Sequence, residues 1–157
     1  MELSILSVGK ISTKWIKEGI EEFEQRIKKY VKFNSVIIPD IRSAKSTPLS
    51  RIKEEEGKLI LNETTSSDLK VLLDEKGIEM SSVEFAKWLE KQMATGKKKL
   101  VMVIGGPYGF SHDVYASADY KISLSKMTFT HEMAKLFLTE QIYRAMTILR
   151  NEPYHHE

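Results

Sequence analysis

Leu100–Ile104 (LVMVI) contains no polar side chain, and it stops abruptly at Gly105-Gly106-Pro107-Tyr108-Gly109. A strand that is apolar on both faces needs cover on both faces, which is the situation of a central strand in a parallel sheet. Four further β-prone stretches surround it. Leu3–Val8 ends at Gly9-Lys10, Phe33–Ile38 ends at Pro39-Asp40, Lys70–Leu73 ends at the Asp74–Gly77 turn, and Tyr120–Leu124 runs into Ser125. Helical patterns separate them. Lys14–Tyr30 carries Trp15, Ile16, Ile20, Phe23, Ile27 and Tyr30 at helical spacing. Thr47-Pro48 reads as an N-cap followed by a first-turn proline, opening a helix to about Asn62 whose modest apolar face holds Leu49, Ile52, Leu59 and Ile60.

Ser81 with Glu84 three residues on forms a capping box for a helix through Phe85, Trp88, Leu89 and Met93 that Gly96 closes. Ser111 caps a short helix over His112–Ala118. Thr130 starts a last helix with Leu136, Phe137, Tyr143, Met146 and Leu149 on its inner side. Ile41–Ser46 reads as a loop, and Pro153 leaves Glu152–Glu157 as an extended tail. The alternation predicts one α/β domain over residues 1–157: a parallel sheet of five to six strands with helices on both faces.

Composition bounds the function. The 157 residues carry no cysteine, which excludes a disulfide framework, a thiolate metal site and a cysteine nucleophile and suits a reducing cytoplasm. No apolar run reaches membrane-spanning length, and the start of the chain lacks the pattern of a signal peptide. The net charge is only +2, but basic residues cluster at Arg26, Lys28, Lys29 and Lys32 and again at Lys97–Lys99. Neither cluster alone distinguishes a partner surface from a solvated helix end.

Loops at the carboxyl ends of parallel strands are where ligands bind in open α/β sheets. The Gly105–Gly109 loop lacks the GK[ST] ending of a phosphate-binding P-loop and the spacing of GxGxxG. It suits either a close ligand approach or a tight structural turn. Ser125-Lys126-Met127-Thr128-Phe129 places two apolar side chains in a connection, either tucked into the core, which the residues alone favour, or flanking a flat apolar ligand. His131 lies in the first turn of the last helix, where the helix dipole favours a neutral imidazole. Glu140 and Arg144 are one turn apart, and Tyr154, His155 and His156 lie in the tail without metal-ligand spacing.

Together, VMVIGGPYG, ISLSKMTFTHEM, LFLTEQIYRA and the terminal NEPYHHE resemble the motifs of the RlmH (YbeA-like) ribosomal RNA methyltransferases of the SPOUT superfamily. ILSVGK, KEEEGKLIL and LLDEKG match in order and spacing, so the resemblance spans essentially the whole chain. It implies a C-terminal part threaded into a trefoil knot, which pattern reading cannot give because chains by default do not thread loops. It also implies a homodimer and an S-adenosylmethionine site on Leu73, Gly105, Leu124, Ser125, Lys126, Met127, Thr128 and Phe129. The implied substrate is N3 of a pseudouridine in large-subunit (23S) rRNA. The net charge of only +2 leads us to expect recognition of the assembled ribosome rather than tight binding to free RNA, and neither a metal nor a membrane is expected. His131, Glu140, Arg144, Tyr154 and His155 fall on positions implied to be catalytic. Three residues depart from the family pattern: Thr130 replaces a proline, Lys135 an arginine and Ile78 a lysine. The competing readings are a catalytically silent dimer of the same fold and a phosphate binder using the Gly105–Gly109 loop. The missing lysine and Ser/Thr speak against the latter.

Overall fold

The computed structural model describes residues 1–41 and 46–156, so most of the loop expected at Ile41–Ser46 lies outside the described residues. Five strands, β1 (Glu2–Val8), β2 (Phe33–Ile38), β3 (Leu69–Glu79), β4 (Lys99–Ile104) and β5 (Tyr120–Ser123), form one parallel sheet in the order β2-β1-β4-β3-β5. β4 is central, as its unbroken apolar run requires, and Leu100–Ile104 are all buried. Helices α1 (Lys14–Ile27), α3 (Ser82–Met93) and α5 (His131–Leu149) cover one face, around Leu3, Ile5, Val71, Leu89, Met102, Leu138 and Ile142. Helices α2 (Leu49–Asn62) and α4 (His112–Ser117) cover the other, around Leu6, Val8, Leu72, Val101, Val103 and Val114.

Local signals are realised where a side chain can reach its own helix end. Ser81 Oγ accepts from Glu84 N–H and Glu84 returns the bond to Ser81 N–H. Ser111 and Thr130 cap α4 and α5, and Gly96 adopts φ +81 beyond α3.

Several expectations are corrected. α1 stops at Ile27 rather than Tyr30, and Trp15, exposed at 62%, lies off its buried Ile16–Ile20–Ile27 stripe. α2 begins at Leu49 with Pro48 at the cap position and no side-chain cap bond, so Thr47 does not cap it; Leu49 is exposed. β3 is longer than Lys70–Leu73. Residues 74–77 bulge out of its pairing with β5, so that Leu73 and Ile78 both register against Ile122. Gly77 makes this fit, because a Cβ there would lie 2.6 Å from the Ile122 backbone.

The inner face of α5 differs most. Its buried residues are Lys135, Leu138, Thr139, Ile142, Ala145, Met146 and Thr147, whereas Phe137 is exposed and Leu136, Tyr143 and Leu149 are half-buried. Polar side chains take core seats because each finds a partner: Lys135 Nζ donates to Ser7 Oγ at 3.1 Å, and the two threonine hydroxyls donate to backbone carbonyls of their own helix. The tail is not extended. Asn151 takes φ 54, Glu152 N–H donates to Thr147 C=O, and Tyr154 and His155 fold back onto α5.

Candidate functional site

α5 leaves β5 through Leu124–Thr130 and crosses the sheet between α1 and α3. Its first turn clamps the loop before α1. His131 Nε2–H donates to Lys10 C=O at 3.2 Å, and the Glu132 carboxylate accepts from the N–H groups of Ser12 and Thr13 and from the Thr13 hydroxyl. Those bonds hold the Glu132 carboxyl below its usual range. His131 thus occupies the clamp.

Two turns further along, four of the expected catalytic residues converge. Glu140 Oε1 accepts from Arg144 Nη2 (2.6 Å), Arg144 Nε (3.1 Å) and Tyr154 O–H (3.0 Å). Arg144 Nη1 lies 3.1 Å from His155 Nδ1. A guanidinium can only donate, so Nδ1 accepts and the imidazole carries its proton on Nε2. The Arg144 guanidinium also sits 4.8 Å from the Tyr154 ring centroid, and Tyr154 packs on Tyr143 at 4.6 Å. Burial, with the neighbouring Glu140 carboxylate, pushes the Tyr154 phenol up, so its O–H remains a donor. The side chains of Arg144 and Glu140 are only 25% and 16% exposed.

Beside this cluster opens a pocket of about 340 Å³, lined by Ser82, Phe85, Ile122, Leu124, Phe129 and Gln141 among others. It lies where β5 ends, its walls mainly apolar and aromatic with a few polar edges, and its volume suits a small-molecule ligand. Of the expected cofactor residues, Leu124 and Phe129 line it. Ser125 shapes the loop: its hydroxyl accepts from Met127 N–H and its carbonyl accepts from Ser123 O–H. Met127 is 76% exposed and Phe129 is 37% exposed against Phe137, so neither is tucked into the core. Lys126 and Thr128 are exposed; Leu73 packs at the core edge opposite Ile122.

Gly105 is needed by the protein itself. A Cβ there would come within 2.8 Å of the Phe110 ring, and one at Gly106 within 2.7 Å of the Glu56 carboxylate, which accepts Gly106 N–H. Burial pushes the Glu56 carboxyl up.

Pocket and cluster are joined by a residue that the sequence does not single out. Ser82 O–H donates to Gln141 Oε1 at 2.7 Å, and Gln141 Nε2–H donates to Glu140 Oε2 at 2.9 Å. A hydrogen-bond chain therefore runs from the pocket wall through Gln141 and Glu140 to Arg144, Tyr154 and His155. Its only sequence signal is that Gln141 adjoins Glu140 on α5; Ser82 is 59 residues away.

Among the described residues no group of histidines and carboxylates could hold a metal ion, and no helix is long and apolar enough to cross a membrane. The family described as "Predicted SPOUT methyltransferase" matches residues 1–155. The chain is 51% identical over 157 residues, the full length of both proteins, to the ribosomal RNA large subunit methyltransferase H of Parabacteroides distasonis. It is 50% identical over 156 residues, 99% of both, to that of Christiangramia forsetii, and 48% identical over the full length of both to that of Flavobacterium johnsoniae. With a parallel five-stranded sheet, a pocket at its carboxyl edge and a family match over almost its whole length, the chain belongs to the SPOUT methyltransferases.

Proposed function

We propose that this protein transfers a methyl group from S-adenosylmethionine to N3 of a pseudouridine in large-subunit rRNA. On this reading it acts as a cytoplasmic homodimer on assembled ribosomes, with the knotted C-terminal path that family membership implies. The observation that carries the reading is the hydrogen-bond chain from the pocket wall through Gln141 to the Glu140–Arg144–Tyr154–His155 cluster. It couples a site suited to a flat apolar group to a set of proton acceptors and fixed donors.

The pocket suits the cofactor: Phe85, Ile122, Leu124 and Phe129 offer apolar walls for an adenine, and Ser82 and Gln141 offer polar edges. Bound there, S-adenosylmethionine supplies an electrophilic methyl. N3 of the base is a poor nucleophile while it keeps its proton. With the methyl donor bound, the N3–methyl bond would form as the sulfur–methyl bond breaks, and the N3 proton would pass to Glu140, whose Oε2 accepts from Gln141, or to Nδ1 of His155 as Arg144 Nη1 turns from it toward the developing charge. Arg144 holds both groups and stabilises negative charge developing on the imide. Tyr154 packs against the nucleotide. Met127, Phe129 and Phe137 are large exposed apolar side chains beside the pocket, which supports cover by a second copy of the chain.

The test is methyl transfer from labelled S-adenosylmethionine to large subunits and ribosomes lacking the modification, followed by nucleoside analysis. Labelled 3-methylpseudouridine is the expected product, with far weaker labelling of naked rRNA, since a net charge of +2 offers few phosphate contacts. Cofactor binding without transfer would refute the reading.

A further inference from the structure

The basic cluster at the end of α1 is not absorbed by the site above, yet it is continuous with it. Lys28 and Lys29 are exposed, and among the described residues neither forms an ion pair. Lys32 is exposed beside them. Arg150, at the end of α5, places its guanidinium 5.7 Å from the Tyr30 ring centroid. Arg26 sits 5.6 Å from the Phe23 ring and 5.4 Å from the Tyr143 ring. Tyr30 and Tyr143 meet edge-on at 6.2 Å, and Tyr143 carries Tyr154. Three rings in succession, Tyr30, Tyr143 and Tyr154, thus run from the surface to the Glu140–Arg144 cluster, with the guanidinium groups of Arg150, Arg26 and Arg144 against them.

Three acidic residues of this patch are engaged: Glu22 pairs with Arg26, Glu2 with Lys32 at 2.9 Å, and Glu152 accepts from Tyr30 O–H at 2.6 Å. That leaves Lys28, Lys29 and Arg150 as cations without a carboxylate within ion-pair distance among the described residues.

We propose that Lys28, Lys29 and Arg150, with the Tyr30 and Tyr143 rings between them and the tail, form the surface on which the RNA strand flanking the target nucleotide docks. Clustered cations supply sequence-independent phosphate contacts, and aromatic faces beside them suit unpaired bases. An anionic membrane would use the cations but has no use for rings leading into a polar cluster. The inference rests on the RNA-methyltransferase reading and adds where the substrate is held.

The test compares Lys28→Glu/Lys29→Glu and the milder Lys28→Gln/Lys29→Gln with the unaltered protein, using large subunits as substrate. For the charge-reversed protein, KM for the particles should rise roughly 10- to 100-fold, with kcat and affinity for S-adenosylmethionine unchanged. The slope of log(kcat/KM) against log[salt] should flatten by about 1.5–2, one phosphate contact per lysine. The glutamine pair should flatten the slope similarly with a smaller rise in KM. Unchanged KM and slope in both pairs would overturn the proposal. If charge reversal also weakens cofactor binding, the glutamine pair decides by the same two readouts. If the unaltered protein transfers no methyl group, sedimentation with the particles decides: a salt-dependent binding lost in both pairs upholds the docking surface while the methyl-transfer reading falls. Binding to phosphatidylserine vesicles in preference to particles would overturn it.

Discussion

Replacing Arg144 with alanine removes four contacts at once: two charged hydrogen bonds to Glu140 Oε1, one bond to His155, and a guanidinium over the Tyr154 ring. Loss of a charged hydrogen-bond partner costs about 1.5–3 kcal/mol, and because this pair is not fully buried we count it once. The cation–π contact adds about 0.5–1 kcal/mol. The expected destabilisation is about 2–4 kcal/mol, which lowers Tm by roughly 5–15 °C in a domain of this size. Activity should fall further than folding. With Glu140 and His155 no longer oriented, kcat should drop about 100-fold or more, the range of a lost acid–base group. Affinity for S-adenosylmethionine should change little, because the pocket walls are untouched. Arg144→Lys keeps the charge but not the fork, so it should recover part of the stability and less of kcat. The assays are thermal unfolding, cofactor calorimetry and methyl transfer to large subunits. Full turnover by Arg144→Ala, or a Tm within about 1 °C of the unaltered protein, would refute the reasoning.

Two further predictions concern the frame. Gly77→Ala places a Cβ against backbone atoms of Ile122 that cannot rotate away, so urea denaturation should show a loss of about 1–3 kcal/mol or more. Cofactor affinity should fall with it, since β5 leads into Leu124. Lys135→Met should remove a pH dependence. Burial lowers the Lys135 amine against a smaller opposing pull from Glu24, so its contribution is fully present above the ordinary lysine range and is lost as pH falls through the lowered value. Unfolding free energies at pH 7 and pH 10 should show the unaltered protein gaining on the variant as pH rises; a constant difference would contradict this.

The strand–helix order is legible in the sequence because each element announces itself within a few residues: an apolar run, a helical stripe, a capping box at Ser81–Glu84. The sheet order β2-β1-β4-β3-β5 is not, since no local pattern records which strands become neighbours. The inner face of α5 escapes a sequence reading because Lys135 and Thr139 look like solvent residues until Ser7, 128 positions away, and the helix's own carbonyl accept their hydrogen bonds. Glu140 and Arg144 are visible as a one-turn pair. Gln141 is invisible, because its importance exists only once Ser82 is brought to it. Pro153 marks the end of helical structure correctly, but no local pattern shows that the tail turns back: its seat for Tyr154 is made by the Tyr143 ring and the Glu140 carboxylate.

The Glu132 clamp bears on how the chain reaches this state. Thr13 makes no side-chain cap bond of its own for α1; the acceptor for the amides at that end arrives from Glu132, 119 residues later. α5 also supplies Leu138, Ile142, Ala145 and Met146 to the core that β1 and α1 share. While the chain is being synthesised, the first strand and helix therefore remain uncapped and half covered until the final helix has cleared the exit tunnel. Structure formed by the earlier segments stays provisional until α5 docks, and native closure is a late event with high contact order. Truncation within α5 removes the lock on the beginning of the chain as well as its end.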